Sequence, residues 1–167
     1  MKKAVLIFPV VDDKILLGLK QKKVSKGLWS GYGGKVDKNE TIVHAAKREL
    51  AEECGGKVTV NEKDFVPAAR IDFALLQEDD ENFHMRVFIY ILKKIHGTLL
   101  DNAEMQRHTW FDIDNIPYDK MLPDHKIFLP KILCGKFLSG SITTKNNTVC
   151  ACEIENITKE ILKDIFM

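Results

Sequence analysis

The sequence predicts one domain of mixed class, α+β or layered α/β/α. Three observations predict it: apolar, β-branched stretches of strand length recur along most of the chain, helical periodicity is confined to three segments, and the two kinds follow no regular βαβ order. At 167 residues the chain has a single domain's length. With 45 % hydrophobic and 29 % charged residues it can bury a core, which excludes disordered, collagen-like and coiled-coil readings.

Residues 4–11 and 14–20 read as strands joined by a turn at Asp12-Asp13. Residues 21–38 are polar and carry Gly27, Gly31, Gly33 and Gly34, the composition of a long functional loop. Glu40-Thr41 opens a helix with Ile42, Ala46, Leu50 and Cys54 at helical spacing, and Gly55-Gly56 stops it. Strands are expected at 57–60, 65–76 and 84–93, the last two antiparallel across an acidic turn at 77–82. A short strand at 109–111 precedes a loop punctuated by Pro117 and Pro123, and Asp124 stands where it could cap a helix running to Leu133. Residues 137–144 and 148–154 form a hairpin on Asn146-Asn147, residues that tolerate a left-handed turn. The tail, 156–167, reads as an extra C-terminal helix with Ile157, Ile161, Leu162 and Ile165 on one stripe and Asn156 as its cap. No repeat or linker divides the chain, so 1–167 is expected to be one domain.

Twenty-five Lys and Arg against 24 Asp and Glu leave a net charge of +1, which supplies no broad field for a nucleic-acid polymer. The longest apolar runs, such as 4–11 and 86–92, fall well short of the roughly 18–20 residues of a membrane span. The opening Met1-Lys2-Lys3 and its apolar run are broken by Asp12-Asp13-Lys14 with no small-residue cleavage site, so they read as the first strand of a cytoplasmic protein rather than a signal peptide. Cys54, Cys134, Cys150 and Cys152 fit neither a disulfide framework nor a Cys-x-x-Cys zinc site. Strand alternation would turn Cys150 and Cys152 the same way, as buried free thiols. His44, His84, His96 and His108 have no metal-ligand spacing.

The chemistry concentrates in Gly34-x5-Glu40-x7-Arg48-Glu49-Leu50-x-Glu52-Glu53-x-Gly55. On a helix Glu49, Glu52 and Glu53 fall within an arc of roughly 100°, beside the apolar arc of Ile42, Val43, Ala46, Leu50 and Cys54. Like charges at these spacings cost a helix a few tenths of a kcal/mol per pair, so the cluster makes sense chiefly with a neutralising cation. All-oxygen ligation selects Mg²⁺ or Mn²⁺ rather than zinc. A solvated acidic face is the plain alternative for an isolated E-x-x-E-E. Chance agreement at all eight positions has a probability on the order of one in ten million.

That spacing is the Nudix box, and the chain resembles the Nudix hydrolase family, with one departure at Gly56, where the family usually carries a bulky aliphatic. Lys14 to Lys20, Gly27 to Val36, Ala103 to Gln106, Trp110-Phe111, Asn115 to Tyr118 and Pro123-Asp124 are similar to the oxidised purine nucleoside triphosphatase subfamily, the 8-oxo-dGTP diphosphatases of the mammalian type. The similarity reaches to about Ile154; the final helix has no counterpart in it. The resemblance implies an α/β/α sandwich around a mixed sheet and Mg²⁺ dependence, with Mn²⁺ as a substitute. It implies hydrolysis of oxidised purine nucleoside triphosphates to monophosphate and pyrophosphate, a nucleotide-pool sanitisation allied to DNA repair. The partner would be a small nucleotide, and the protein a monomer.

The resemblance also assigns residues. The carbonyl of Gly33 with Glu49, Glu52, Glu53 and Glu104 would hold metal, and Glu52 or Glu53 would be the general base. Arg48 can pair with Glu52 at i+4 or reach back to Glu40, orienting carboxylates rather than touching substrate. Lys20, Ser30, Phe73, Phe83, Asp124, His125 and Phe128 fall at substrate-binding positions. Ser30 replaces an asparagine that bonds the base, and His125 replaces the second of two aspartates that read the purine edge. Trp29 suits a stacking surface or a packing anchor equally. Two other readings compete: a Nudix hydrolase of another nucleoside diphosphate-linked substrate (an unmodified dNTP, a nucleotide sugar, a dinucleoside polyphosphate), and a non-catalytic binding module. Intact Glu49, Glu52 and Glu53 count against the module, which has no need of a repulsive cluster.

Overall fold

The structure, a computed structural model, describes residues 1–22, 25–76 and 82–167. Its elements in chain order are β1 (Lys2–Val11), β2 (Lys14–Lys20), β3 (Trp29–Ser30), α1 (Ile42–Glu53), β4 (Val58–Thr59), β5 (Phe65–Leu76), β6 (Phe83–Leu92), β7 (His96–Gly97), β8 (Met105–Asp112), α2 (His125–Leu133), β9 (Phe137–Lys145), β10 (Thr148–Ile157) and α3 (Lys159–Phe166). Asp12 and Asp13, in the β1–β2 turn, have φ of 50° and 58°. Two positive φ values match the twist of a two-residue hairpin, and Asp tolerates them because its short side chain can bond locally.

β1 and β2 pair only beside that turn, Val10 with Ile15 and Val11 with Lys14, and then part. β1 continues in parallel with β6, while β2 takes β3 and β8 as antiparallel partners. On the other flank the order runs β6, β5, β9, β10, with β5 and β9 parallel and β10 at the edge. The expected mixed sheet is therefore present. β4 and β7 form a small separate ladder.

Period-two alternation divides the core into two layers. Ile7, Leu16, Phe88 and Tyr90 pack with Ala45, Ala46 and Leu50 of α1. Phe8, Ile15, Leu17, Ile89 and Ile91 pack on the opposite side with Phe128, Leu129 and Ile132 of α2. The fold is thus α/β/α. α3 joins the α1 side, where Phe166 stands edge-on to Phe88 at 5.1 Å and to Tyr90 at 4.9 Å.

Several expectations change in detail. The tail helix begins at Lys159, because β10 keeps its ladder with β9 through Ile157; Thr158, not Asn156, caps it, its hydroxyl accepting from the Ile161 N–H at 3.3 Å. Cys150 and Cys152 are free but exposed: among the described residues β10 has no outer neighbour, and a bulge between Val149 and Ala151 breaks the alternation. Cys54 is the buried cysteine, its thiol pushed up to about 12 by burial. Strand β8 starts four residues earlier than expected, at Met105. Of the acidic turn at 77–82, all but Asn82 lies outside the described residues. Among the described residues no helix is long and apolar enough to cross a membrane.

On the open part of the sheet Asp72 faces Arg86 across the β5–β6 ladder, accepting from Arg86 Nε at 2.8 Å and Arg86 Nη2 at 2.9 Å, with Arg70 Nη1 at 3.2 Å. The Arg86 guanidinium holds the Asp72 carboxyl below the usual carboxylate range. A depressed carboxyl adds stability above its unfolded value of about 4 and loses it as pH falls through the folded value. Asp72→Asn should therefore cost about 1 kcal/mol in urea unfolding at pH 7 and less near pH 2, as the carboxyl takes up its proton. An equal cost at both values would assign the loss to packing instead.

Candidate active site

α1 starts where Thr41 Oγ1 accepts from the His44 N–H at 3.2 Å, and its Ala45, Ala46 and Leu50 are fully buried against the sheet. That anchorage aims the acidic arc at the glycine-rich segment. Arg48 grips Glu40 through Nε and Nη2, both at 2.9 Å, donates to Glu49 at 2.8 Å and to the Lys35 carbonyl at 3.0 Å, and stands 3.5 Å from Glu52. The two parallel bonds to Glu40 hold that carboxyl below its ordinary range. With Asp37 at 3.7 Å as well, Arg48 is thus a hub among five backbone and side-chain partners rather than one of the residues lining the cavity.

Glu53, the last residue of α1, is 2 % exposed. One oxygen pairs with the Lys20 ammonium at the end of β2, and the other accepts from the Gly33 N–H at 2.8 Å. Burial pushes the Glu53 carboxyl up, while Lys20 and the Gly33 N–H draw it down. After Glu53 the helix stops at Gly55 and Gly56, whose φ of 85° and 78° few other residues adopt.

The glycine-rich segment is not a free loop. Where β2 leaves β1, this segment takes its place: Ile7 and Tyr32 exchange N–H···O bonds at 2.6 and 2.9 Å, Val5 donates to the Gly34 carbonyl at 2.9 Å, and Val36 donates to Lys3 at 3.0 Å. A Cβ at residue 33 would overlap the Val5 carbonyl, and one at 34 would overlap the Glu49 carboxylate, which is why this stretch needs glycine. Tyr32, fully buried, sits with its hydroxyl 2.8 Å from His108 Nδ1, so His108 is a satisfied interior residue.

Between segment and helix lies a cavity of about 270 Å³. Glu49, Glu52, Glu53 and Glu104 line it together with Gly33, Gly34, Lys20, Lys22 and Lys35. Glu52 is 60 % exposed and Glu104 53 %, against 14 % for Glu49. Four carboxylates therefore face a small space whose rim carries three lysines.

The residues expected to read a base lie elsewhere, on the α2 side. Asp124 and His125 are both buried, with Asp124 Oδ1 2.7 Å from His125 Nδ1. Asp124 occupies the N-cap position of α2 but makes no capping bond, because its carboxylate is turned to the imidazole. His125 meets Phe8 edge-on at 6.0 Å and Phe128 at 5.1 Å, and Phe73 meets Phe128 at 6.2 Å. Ser30 is buried on β3 opposite Gly18. Phe83 is 41 % exposed at the start of β6, and no described ring contact joins it to this cluster. Trp29 packs edge-on to Phe111 at 5.0 Å under the Arg107 guanidinium, as an anchor for the segment.

A family model, the NUDIX domain, matches residues 1–132. The chain belongs to the Nudix family. It is 35 % identical over 137 residues to the oxidized purine nucleoside triphosphate hydrolase of Mus musculus, spanning 79 % of this chain and 83 % of that protein. It is 36 % identical over 135 residues to the protein of the same name from Danio rerio, spanning 81 % of each. The crystal structure of a MutT protein from Bacillus halodurans superposes with a TM-score of 0.76 over 93 % of this chain and 98 % of that one; at 21 % identity this is a likeness of fold.

Nudix hydrolases generally use a divalent metal such as Mg²⁺. The donor set here suits such an ion: four glutamates line the cavity, and among the described residues no histidine or cysteine does. Among the described residues no three acidic, His or Cys side chains converge on one point as placed, because Glu53 turns to Lys20 and Glu49 to Arg48.

Sequence reasoning missed Lys22 and Lys35 on the rim. Lys35 follows the Gly33-Gly34 pair directly, and that adjacency is the signal that could have found it.

Proposed function

We propose that this chain hydrolyses oxidised purine nucleoside triphosphates to the monophosphate and pyrophosphate with Mg²⁺, or Mn²⁺ in its place. The observation that carries this reading is the lysine-rimmed cavity of four glutamates built on a Nudix helix, and the names of the mouse and zebrafish relatives support the substrate class. Glu49, Glu52, Glu53 and Glu104, with the Gly33 carbonyl, would hold the metal, which neutralises phosphate charge and lowers the pKa of an attacking water. Glu52, open to the cavity, and Glu53 are the candidates to accept the water's proton. Arg48 keeps Glu49 and Glu40 in place without reaching substrate. Lys20, Lys22 and Lys35 bring positive charge to the phosphate chain.

We read residues 1–167 as one domain with α3 as its addition, acting as a monomer in the cytoplasm, where free thiols persist and the nucleotide pool is to be kept clean. Pyrophosphate release over a panel of oxidised and unmodified purine nucleotides, nucleotide sugars and dinucleoside polyphosphates tests the substrate class. Turnover of nucleotide sugars alone would replace it.

Base selection is assigned to Asp124, with Phe73 and Phe128 beneath it. A carboxylate accepts from the N1–H and exocyclic N–H₂ of a guanine-like edge, whereas an adenine-like edge also asks for a donor. In the tautomer that carries its proton on Nδ1, the His125 imidazole donates to Asp124 Oδ1 across 2.7 Å, and the carboxylate then meets a substrate as an acceptor. Guanine-derived substrates should therefore outrun oxidised adenine ones. Asp124→Asn should lower kcat/KM for the preferred purine by roughly 1–3 kcal/mol in barrier and leave pyrimidine triphosphates almost unchanged. Equal slowing of all nucleotides, or a preference for oxidised dATP, would contradict the assignment.

A further inference from the structure

Asn102 stands two residues before Glu104, in the segment that leads into β8, and its side-chain amide bonds in two directions. Nδ2 donates to the Glu53 carbonyl at 2.8 Å, at the end of α1. Oδ1 accepts from the backbone N–H of Glu104 at 2.9 Å and of Met105 at 3.1 Å. One side chain thus ties together two acidic residues 51 positions apart, the helix end that carries Glu53 and the turn that carries Glu104. The Leu100 N–H, donating to the Cys54 carbonyl at 3.0 Å, is a second tie between the same segments, but it lies farther from Glu104.

The Glu104 carboxylate itself is weakly held. It is 53 % exposed, and its ion pair is with the equally exposed Lys22 at 3.9 Å. Where that carboxylate sits relative to Glu52 and Glu53 is therefore decided by its backbone, which the Gln21 N–H, donating to the Glu104 carbonyl at 3.0 Å, ties to the end of β2 and which Asn102 ties to the end of α1. Only an amide supplies a donor for the helix carbonyl and an acceptor for the turn N–H groups from one planar group of this size.

We propose that Asn102 is a positioning residue of the acidic site: by clamping the Glu104 turn to the end of α1 it sets the separation of Glu104 from the Glu52–Glu53 pair, and with it the cation affinity of the cavity. This rests on the reading of those glutamates as cation ligands. Residues that orient ligands in this way shift metal affinity by roughly tenfold to a hundredfold when removed.

The test is Mn²⁺ titration by calorimetry, without nucleotide, on the wild type, Asn102→Ala, Glu104→Gln and the double variant. Asn102→Ala should weaken Mn²⁺ binding about tenfold, and Glu104→Gln at least as much. The double variant should bind no more weakly than Glu104→Gln, since the clamp has then nothing to position. If Asn102→Ala lacks a cooperative thermal transition, Asn102→Ser takes its place: its hydroxyl can still cap the turn but cannot span to the Glu53 carbonyl, and the same loss is expected. Wild-type Mn²⁺ affinity in a folded Asn102 variant, or full additivity in the double variant, overturns the clamp while leaving the site reading intact. Unchanged affinity in Glu104→Gln overturns the ligand reading, and the clamp with it.

Discussion

Glu53→Gln should lower kcat by a hundredfold or more while the chain still folds. The Glu53 carboxylate has one oxygen on Lys20 and the other on the Gly33 N–H, and it is the most buried of the four glutamates of the cavity. An amide of the same shape can accept with its oxygen, but its N–H₂ then faces a second donor. That mismatch costs about 1–3 kcal/mol and should lower the melting temperature by several degrees, a loss that leaves a folded protein. The catalytic loss is larger and separate. A neutral amide neither holds a cation nor accepts a proton, and removing a positioned acid–base group lowers rates roughly 10²–10⁴-fold. Single-turnover kinetics beside circular dichroism checks both halves. Wild-type turnover in Glu53→Gln and Glu52→Gln alike would take these carboxylates out of the chemistry.

Excess EDTA should stop product formation without unfolding the chain. The core layers beneath α1 and α2 are apolar and close without any ligand from the acidic cavity, so metal removal leaves them in place. The effect on the site is the opposite, because among the described residues the four carboxylates round a cavity of about 270 Å³ have lysines and Arg48 alone to balance them. Activity should return on adding back Mg²⁺ or Mn²⁺. Product formation that persists in EDTA would remove the metal from the reaction, and loss of the native circular dichroism signal would make the metal structural.

The legible parts of this chain were those fixed by local chemistry. The strand at 65–76, the turn at Asp12-Asp13 and the α1 stop at Gly55-Gly56 are written in an apolar run, turn residues and glycine, and the structure has them at those places. The acidic arc was legible because helical spacing alone puts Glu49, Glu52 and Glu53 together. What escaped depends on partners distant in sequence. The glycine-rich segment looked like a loop since its pairing partner, β1, lies more than twenty residues away, in the gap that β2 leaves. Cys150 and Cys152 looked buried because alternation says which way a residue points and not whether its strand is at an edge. Asn102 carries no pattern at all, for its role arises only where the end of α1 meets the Glu104 turn.

The most direct measurement is of products: 8-oxo-dGTP incubated with the protein and Mg²⁺, the nucleotide and phosphate products separated and counted. Cleavage next to the nucleoside-bearing phosphoryl group should give the nucleoside monophosphate and pyrophosphate in equal amounts. Nucleoside diphosphate with orthophosphate, or no turnover of any purine triphosphate under conditions where nucleotide sugars or dinucleoside polyphosphates are cleaved, would contradict the proposed function.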